Sequence, residues 1–254
     1  TAVFHTSLTC SQNRVEDMRN WGILSLVGFA KFALTENRVL NCGYQQAPSI
    51  GIGVSVQLGE LCVESCEVMN TGVSPDNATI SALSWGIIAD LILEARIQSN
   101  LITYANAALL DGNQEHRALW MRGWLEQVIN FGAGQVVFGF SAQILDNKFL
   151  GPGRTALVEV SQQNVSDNLF RRFERLFFSN NFCWHASVAA QGTATVSLSA
   201  RSAIVMGNHI KTNVPIPSVD FHGMKDAVYM GNLAQANPVN FGGIPSPVSG
   251  FNRP

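Results

Sequence analysis

Residues 74–112, SPDNATISALSWGIIADLILEARIQSNLITYANAALLDG, decide how the rest of the chain is read. Ser74-Pro75-Asp76 has the form of a helix start: a serine able to cap, a proline at the first helical position and an acid at the positive end of the dipole. Asp111-Gly112 has the form of a stop, since glycine accepts the left-handed conformation that ends helices. Between them Ile80, Leu83, Ile87, Ile88, Leu91, Ile92 and Ala95 recur at helical spacing over a wide arc. The spacing predicts one long, mostly enclosed helix of roughly 50 Å, broken or kinked at Gln98-Ser99-Asn100. Asp90, Glu94 and Arg96 stand mid-span, and each would cost about 2.5–3.5 kcal/mol at a bilayer centre, so no spanning segment is expected.

A second helix is predicted from Asn113 to Gly132, with Met121, Trp124, Leu125, Val128 and Ile129 as its apolar stripe. A connection this short makes the pair an antiparallel helical hairpin. Working outward, residues 12–36 carry a broad apolar face at helical spacing, and Ser166–Phe178 reads as an amphipathic helix with Arg171, Arg172 and Arg175 on its wet side. Ile50, Ile52, Val54, Val56 and Leu58 alternate with small and polar residues, the mark of a half-buried strand. Ala156–Val160 reads as a strand, and Thr193–Met206 holds the clearest alternation in the chain. Residues 1–11 read as an extended arm. Residues 208–254, with six prolines and five glycines, read as a second one. The expected architecture is therefore α+β: a long helical hairpin packed on an antiparallel β-sheet within 1–207, and an extended C-terminal arm over 208–254.

Charged residues make up 13% of the chain, about half the usual share, while apolar residues are an ordinary 46%. Low charge is expected of a surface that faces identical copies, and also of a secreted polar surface. The net charge is −2 with no basic run, so the chain gives no strong signal of sequence-independent nucleic-acid binding. Cys10, Cys42, Cys62, Cys66 and Cys183 are odd in number, which disfavours a disulfide framework, and the Cys62/Cys66 pair lacks the partners a zinc site needs. Two glycosylation sequons begin at Asn77 and Asn164.

No phosphate loop, zinc-protease signature, nucleophile elbow or Cys-x-x-Cys motif is present. Asp90 and Glu94, one helical turn apart, are the best carboxylate pair, but a polar stripe on a buried helix explains them as well. Glu115-His116 puts its two side chains on different faces, and His5, His185, His209 and His222 are scattered. Cys183-Trp184-His185 reads as core packing rather than a nucleophile and its base. No catalytic, cofactor-binding or metal-binding residue is assigned, and no cofactor is expected. The expected role is a structural subunit of a self-assembling homo-oligomer, a virus or phage capsid protein first among them, in a virion or an extracellular assembly with identical subunits as partners. The alternatives are an enzyme with a dispersed, hydrolase-like site and a secreted pore-forming protein that inserts 127–145 or 176–200.

Overall fold

A computed structural model describes residues 6–26, 28–104, 115–131, 134–138, 140–152, 155–166, 169–186, 194–213, 216–234, 239–242, 244 and 247–250. Among these residues there is no helix, and therefore none long and apolar enough to cross a membrane. The helical hairpin and the antiparallel sheet beneath it are not what the chain forms. The stretch around 74–112 is a turn followed by the strand Leu83–Gln98 and the strand Leu101–Thr103, and 105–112 lies outside the described residues. The second expected helix is the strands Glu115–Gly123 and Glu126–Phe131. The expected helix at 12–36 is Arg14–Glu16, Ile23–Ser25 and Lys31–Thr35, and the arginine-bearing one is Leu169–Arg171 and Phe173–Ser179.

The chain winds as a stack of coils whose strands pair in parallel with the coil before and the coil after, a parallel β-helix. Three faces run along the stack. The first carries Ile23–Ser25, 49–55, 83–90, Glu115–Gly123, Val158–Ser161, 196–200 and Val219–His222. The second carries Ser7–Ser11, Lys31–Thr35, 60–64, 94–98, Ser141–Leu145, Phe173–Ser179, 202–206, Asp226–Met230 and Val248–Gly250. The third carries Arg14–Glu16, Arg38–Leu40, Glu67–Met69, Leu101–Thr103, Lys148–Gly151, Phe182–His185, His209–Thr212 and Leu233–Ala234. Leu83–Gln98 and Val196–Met206 turn the corner between the first two faces and pair on both, so six strands close into a barrel-like parallel ring. Residues 209–234 lay further rungs on the same stack instead of leaving it as an arm, and Ser7–Ser11 is its first described rung.

The corner between the second and third faces is built the same way eight times. A residue with positive φ, or glycine, turns the chain: Gln12, Glu36, Ser65, Ser99, Asp146, Asn180, Gly207 and Gly231. The next residue is Asn13, Asn37, Cys66, Asn100, Asn147, Asn181, Asn208 or Asn232, all buried except Asn13 on the first described rung, whose Nδ2 still donates to Asn37 Oδ1. Asn147 shows the bonding. Its Oδ1 accepts from Asn100 N and Asn100 Nδ2, both at 3.0 Å, and its own Nδ2 donates to Ile97 O at 2.9 Å and to Asn181 Oδ1 at 3.0 Å. Asn181, Asn208 and Asn232 repeat the pattern. The ladder satisfies corner amides that the strands cannot reach, and a buried amide left unpaired costs about 1–3 kcal/mol.

On either side of each corner an apolar residue turns in. Leu34 and Val39, Val63 and Val68, Ile97 and Ile102, Ile144 and Phe149, Phe178 and Cys183, and Val205 and Ile210 are all within 1% of full burial. They form one continuous core along the stack with Ile52, Ile87, Leu119, Val158, Leu198 and Phe221 from the first face. Two long excursions leave the edge between the first and second faces. Their strands form a separate antiparallel sheet in the order Gly134–Phe138, Glu126–Phe131, Leu169–Arg171, Gln163–Ser166.

Candidate functional site

Strands of the first face point alternate side chains outward, and parallel pairing stacks those residues in columns about 4.8 Å apart per rung. Trp120, Glu159, Ser197 and Asp220 are successive partners in one column. Arg122 pairs with Ser161, and Ser199 with His222, two positions further along the strands. Of these, Glu159, Ser161, Ser197, Ser199 and His222, with Arg117, Thr155, Ala156, Val160 and Gln162, line a groove of about 510 Å³. Gln162 stands where the antiparallel sheet leaves the stack, so the excursion rims the groove.

One end of the groove is held by a rigid ion pair. Arg117 Nε donates to Glu159 Oε2 at 2.6 Å, and Trp120 Nε1 donates to Glu159 Oε1 at 3.3 Å. Both oxygens of the carboxylate are therefore engaged. Beside it Arg122 grips Asp90 with two bonds, at 2.8 and 2.9 Å, and its guanidinium lies 5.4 Å from the Trp120 ring centre. At the other end His222 Nε2 is 2.9 Å from Asp220 Oδ2. Asp220 is 5% exposed, and its Oδ1 has no hydrogen-bond partner among the described residues. The His222 side chain is 46% exposed and faces the groove. An imidazole oriented by a buried carboxylate can accept or donate a proton at a defined atom. The hydroxyls of Ser161, Ser197 and Ser199 lie between the two ends, and Ser199 Oγ donates to the His222 carbonyl at 2.9 Å.

The chain matches no family model, no curated protein and no solved structure. What the groove can do is accordingly read from its own residues.

The residues singled out in the sequence do not converge on it. Asp90 and Glu94 are separated by the corner at Leu91, whose φ is +57°. Asp90 faces out from the first face in its pair with Arg122, while Glu94 faces out from the second, stacked on Glu60. Cys62 lies half-buried on the second face and Cys66 occupies the asparagine ladder, so they share no site. Cys183 and His185 are both buried with Trp184 between them, in keeping with core packing. Arg171 bonds Gln163, Arg172 is buried with its guanidinium on the Gly223 carbonyl at 2.9 Å, and Arg175 lies on the second face. His209 packs edge-on against Phe182, and His5 lies outside the described residues. Both sequon asparagines, Asn77 and Asn164, are exposed. No cluster of three or more metal-ligating side chains occurs among the described residues.

His116 does not join the site. It turns into the stack, where its Nδ1 bonds Ser84 Oγ, which in turn lies 2.8 Å from Tyr104 OH. Burial lowers its pKa to about 4, and the Tyr104 hydroxyl is pushed up by the same desolvation.

Proposed function

We propose that the groove of the first face binds an extended, hydroxyl-rich polymer, a glycan, laid across successive rungs, and that His222 with Asp220 serves as its acid–base pair in a hydrolytic reaction. The observation that carries the reading is the groove itself: a fixed Arg117–Glu159 pair at one end, a histidine–aspartate pair at the other and serine hydroxyls between. Hydroxyls, amides and an ion pair with both donors and acceptors are the groups that hydrogen-bond sugar rings, and the volume falls within the usual range for ligand sites.

The test is a panel of soluble neutral and acidic polysaccharides, read by retardation in affinity gels and by release of reducing ends. Arg117→Ala is expected to lose retardation. His222→Ala is expected to keep it while reducing-end release falls about 100-fold or more. Failure of every polysaccharide to retard the wild-type chain overturns the reading. Undiminished release by His222→Ala removes the acid–base role.

A second reading keeps the chain as a structural subunit of a self-assembling homo-oligomer, a virion capsid protein or an extracellular assembly. It is supported by the low share of charge and by an outward strip of apolar residues on the second face.

A further inference from the structure

The outward side chains of the second face form three columns in its later rungs. The first runs Ser141, Arg175, Ser202, Asp226. The middle one runs Gln143, Phe177, Ile204, Val228, Val248. The third runs Leu145, Ser179, Met206, Met230, Gly250. Met206 is 44% and Val248 57% exposed, and a shallow apolar depression of about 270 Å³ opens between Phe177, Ile204, Val228 and Val248. Soluble surfaces seldom leave so continuous an apolar strip uncovered.

The charges beside the strip decide what covers it. Arg175 and Asp226 lie one rung to either side of Ser202, at the same position along the strand. A two-fold axis lying in the face along 202–206 reverses the rung order and keeps the position along the strand. It therefore sets Arg175 of one copy opposite Asp226 of the other, Phe177 opposite Val228, and Ile204 opposite its own counterpart. Opposite charges meet, and Phe177, Ile204, Val228 and Met206 meet apolar counterparts, while Val248 lies opposite Gln143 and Met230 opposite Ser179; the centre of the surface is complementary to itself, as an isologous contact requires. From this symmetry we infer that a second copy of this chain docks here, the two stacks lying antiparallel and face to face.

Four rungs of five residues and a fifth of three, Val248–Gly250, span roughly 360 Å² of flat face per copy. That is below the size of a stable specific contact, about 800 Å² per partner, so the dimer is weak and concentration-dependent. The inference rests on the assembly reading and is independent of the groove.

Sedimentation velocity of the full chain over a concentration series tests it. The wild type is expected to pass from monomer to dimer. Arg175→Asp and Asp226→Arg are each expected to weaken the dimer about 10-fold or more, because like charges then face one another. The double swap Arg175→Asp/Asp226→Arg is expected to restore it, a rescue that a folding defect cannot produce. Assembly that ignores both single reversals overturns the surface and leaves the assembly reading standing. Open-ended oligomers overturn the two-fold. A monomer at every concentration overturns surface and assembly reading together.

Discussion

His116 sits wholly inside the coil stack, its Nε2 without a hydrogen-bond partner among the described residues, and is held neutral there. Its native pKa lies near 4 against an ordinary 6.5, so between those values the unfolded chain binds a proton that the native chain does not. Native stability from this group is therefore complete above about pH 6.5 and falls as pH drops toward 4, by at most about 3 kcal/mol. Urea unfolding at pH 4.5 and 7 measures the effect. His116→Gln is expected to shrink the difference between the two pH values, and an unchanged difference would assign the slope to other groups. Nothing at this scale was readable beforehand as a site. Arg117, Glu159, Asp220 and His222 are scattered over more than a hundred residues, and only parallel stacking at irregular intervals brings three of them into one groove with Asp220 bonded to His222.

The ladder was written in the chain, but not at a fixed period. Each corner follows one local pattern: an apolar residue, two others, an asparagine, one more residue, and a second apolar residue, as in Ile144-Leu145-Asp146-Asn147-Lys148-Phe149. Intervals between the asparagine positions run from 24 to 47 residues, which hides the repeat from a periodicity scan. The alternation at 50–58 and 193–200 did disclose strands, and Ser49–Glu64 and Val196–Met206 are where they lie. Leu83–Gln98 misled because it turns a corner. Its inward residues are Ser84, Ile87, Ala89, Ile92, Ala95 and Ile97, spaced by two or three, and a strand that skips a position at a bend imitates the stripe of a helix. Cys66 is the one interruption of the ladder after Asn37, whose Nδ2 donates to Cys10 O at 2.8 Å but finds, on the next rung, the Cys66 sulfur at 3.8 Å in place of an amide oxygen. Cys66→Asn is expected to complete the ladder and add about 1 kcal/mol, which for a chain of this size is a rise of roughly 2–4 °C in Tm. Calorimetry checks it, and a lower Tm would mean that this rung has no room for the amide.

At the scale of the molecule, nearly every strand pairs with partners a whole coil away, so little local structure can form ahead of the stack. Such topologies are slow to nucleate, because loop closure must precede the contacts that reward it. Refolding from denaturant, followed by tryptophan fluorescence, is expected to take seconds or longer; a sub-millisecond phase carrying the full amplitude would contradict a stack built coil upon coil. The eightfold corner has a consequence for how such a chain changes over generations. It always takes two residues, whereas the connection leading from the first face to the second ranges from a single bend at Leu91 to the long excursions after Gly123 and Ser161. Because the amide ladder fixes the register of every coil at one edge, an insertion at another edge is confined to its own rung. The rim of the groove can thus be rewritten, lengthened or exchanged as a separate part while the frame beneath it keeps count.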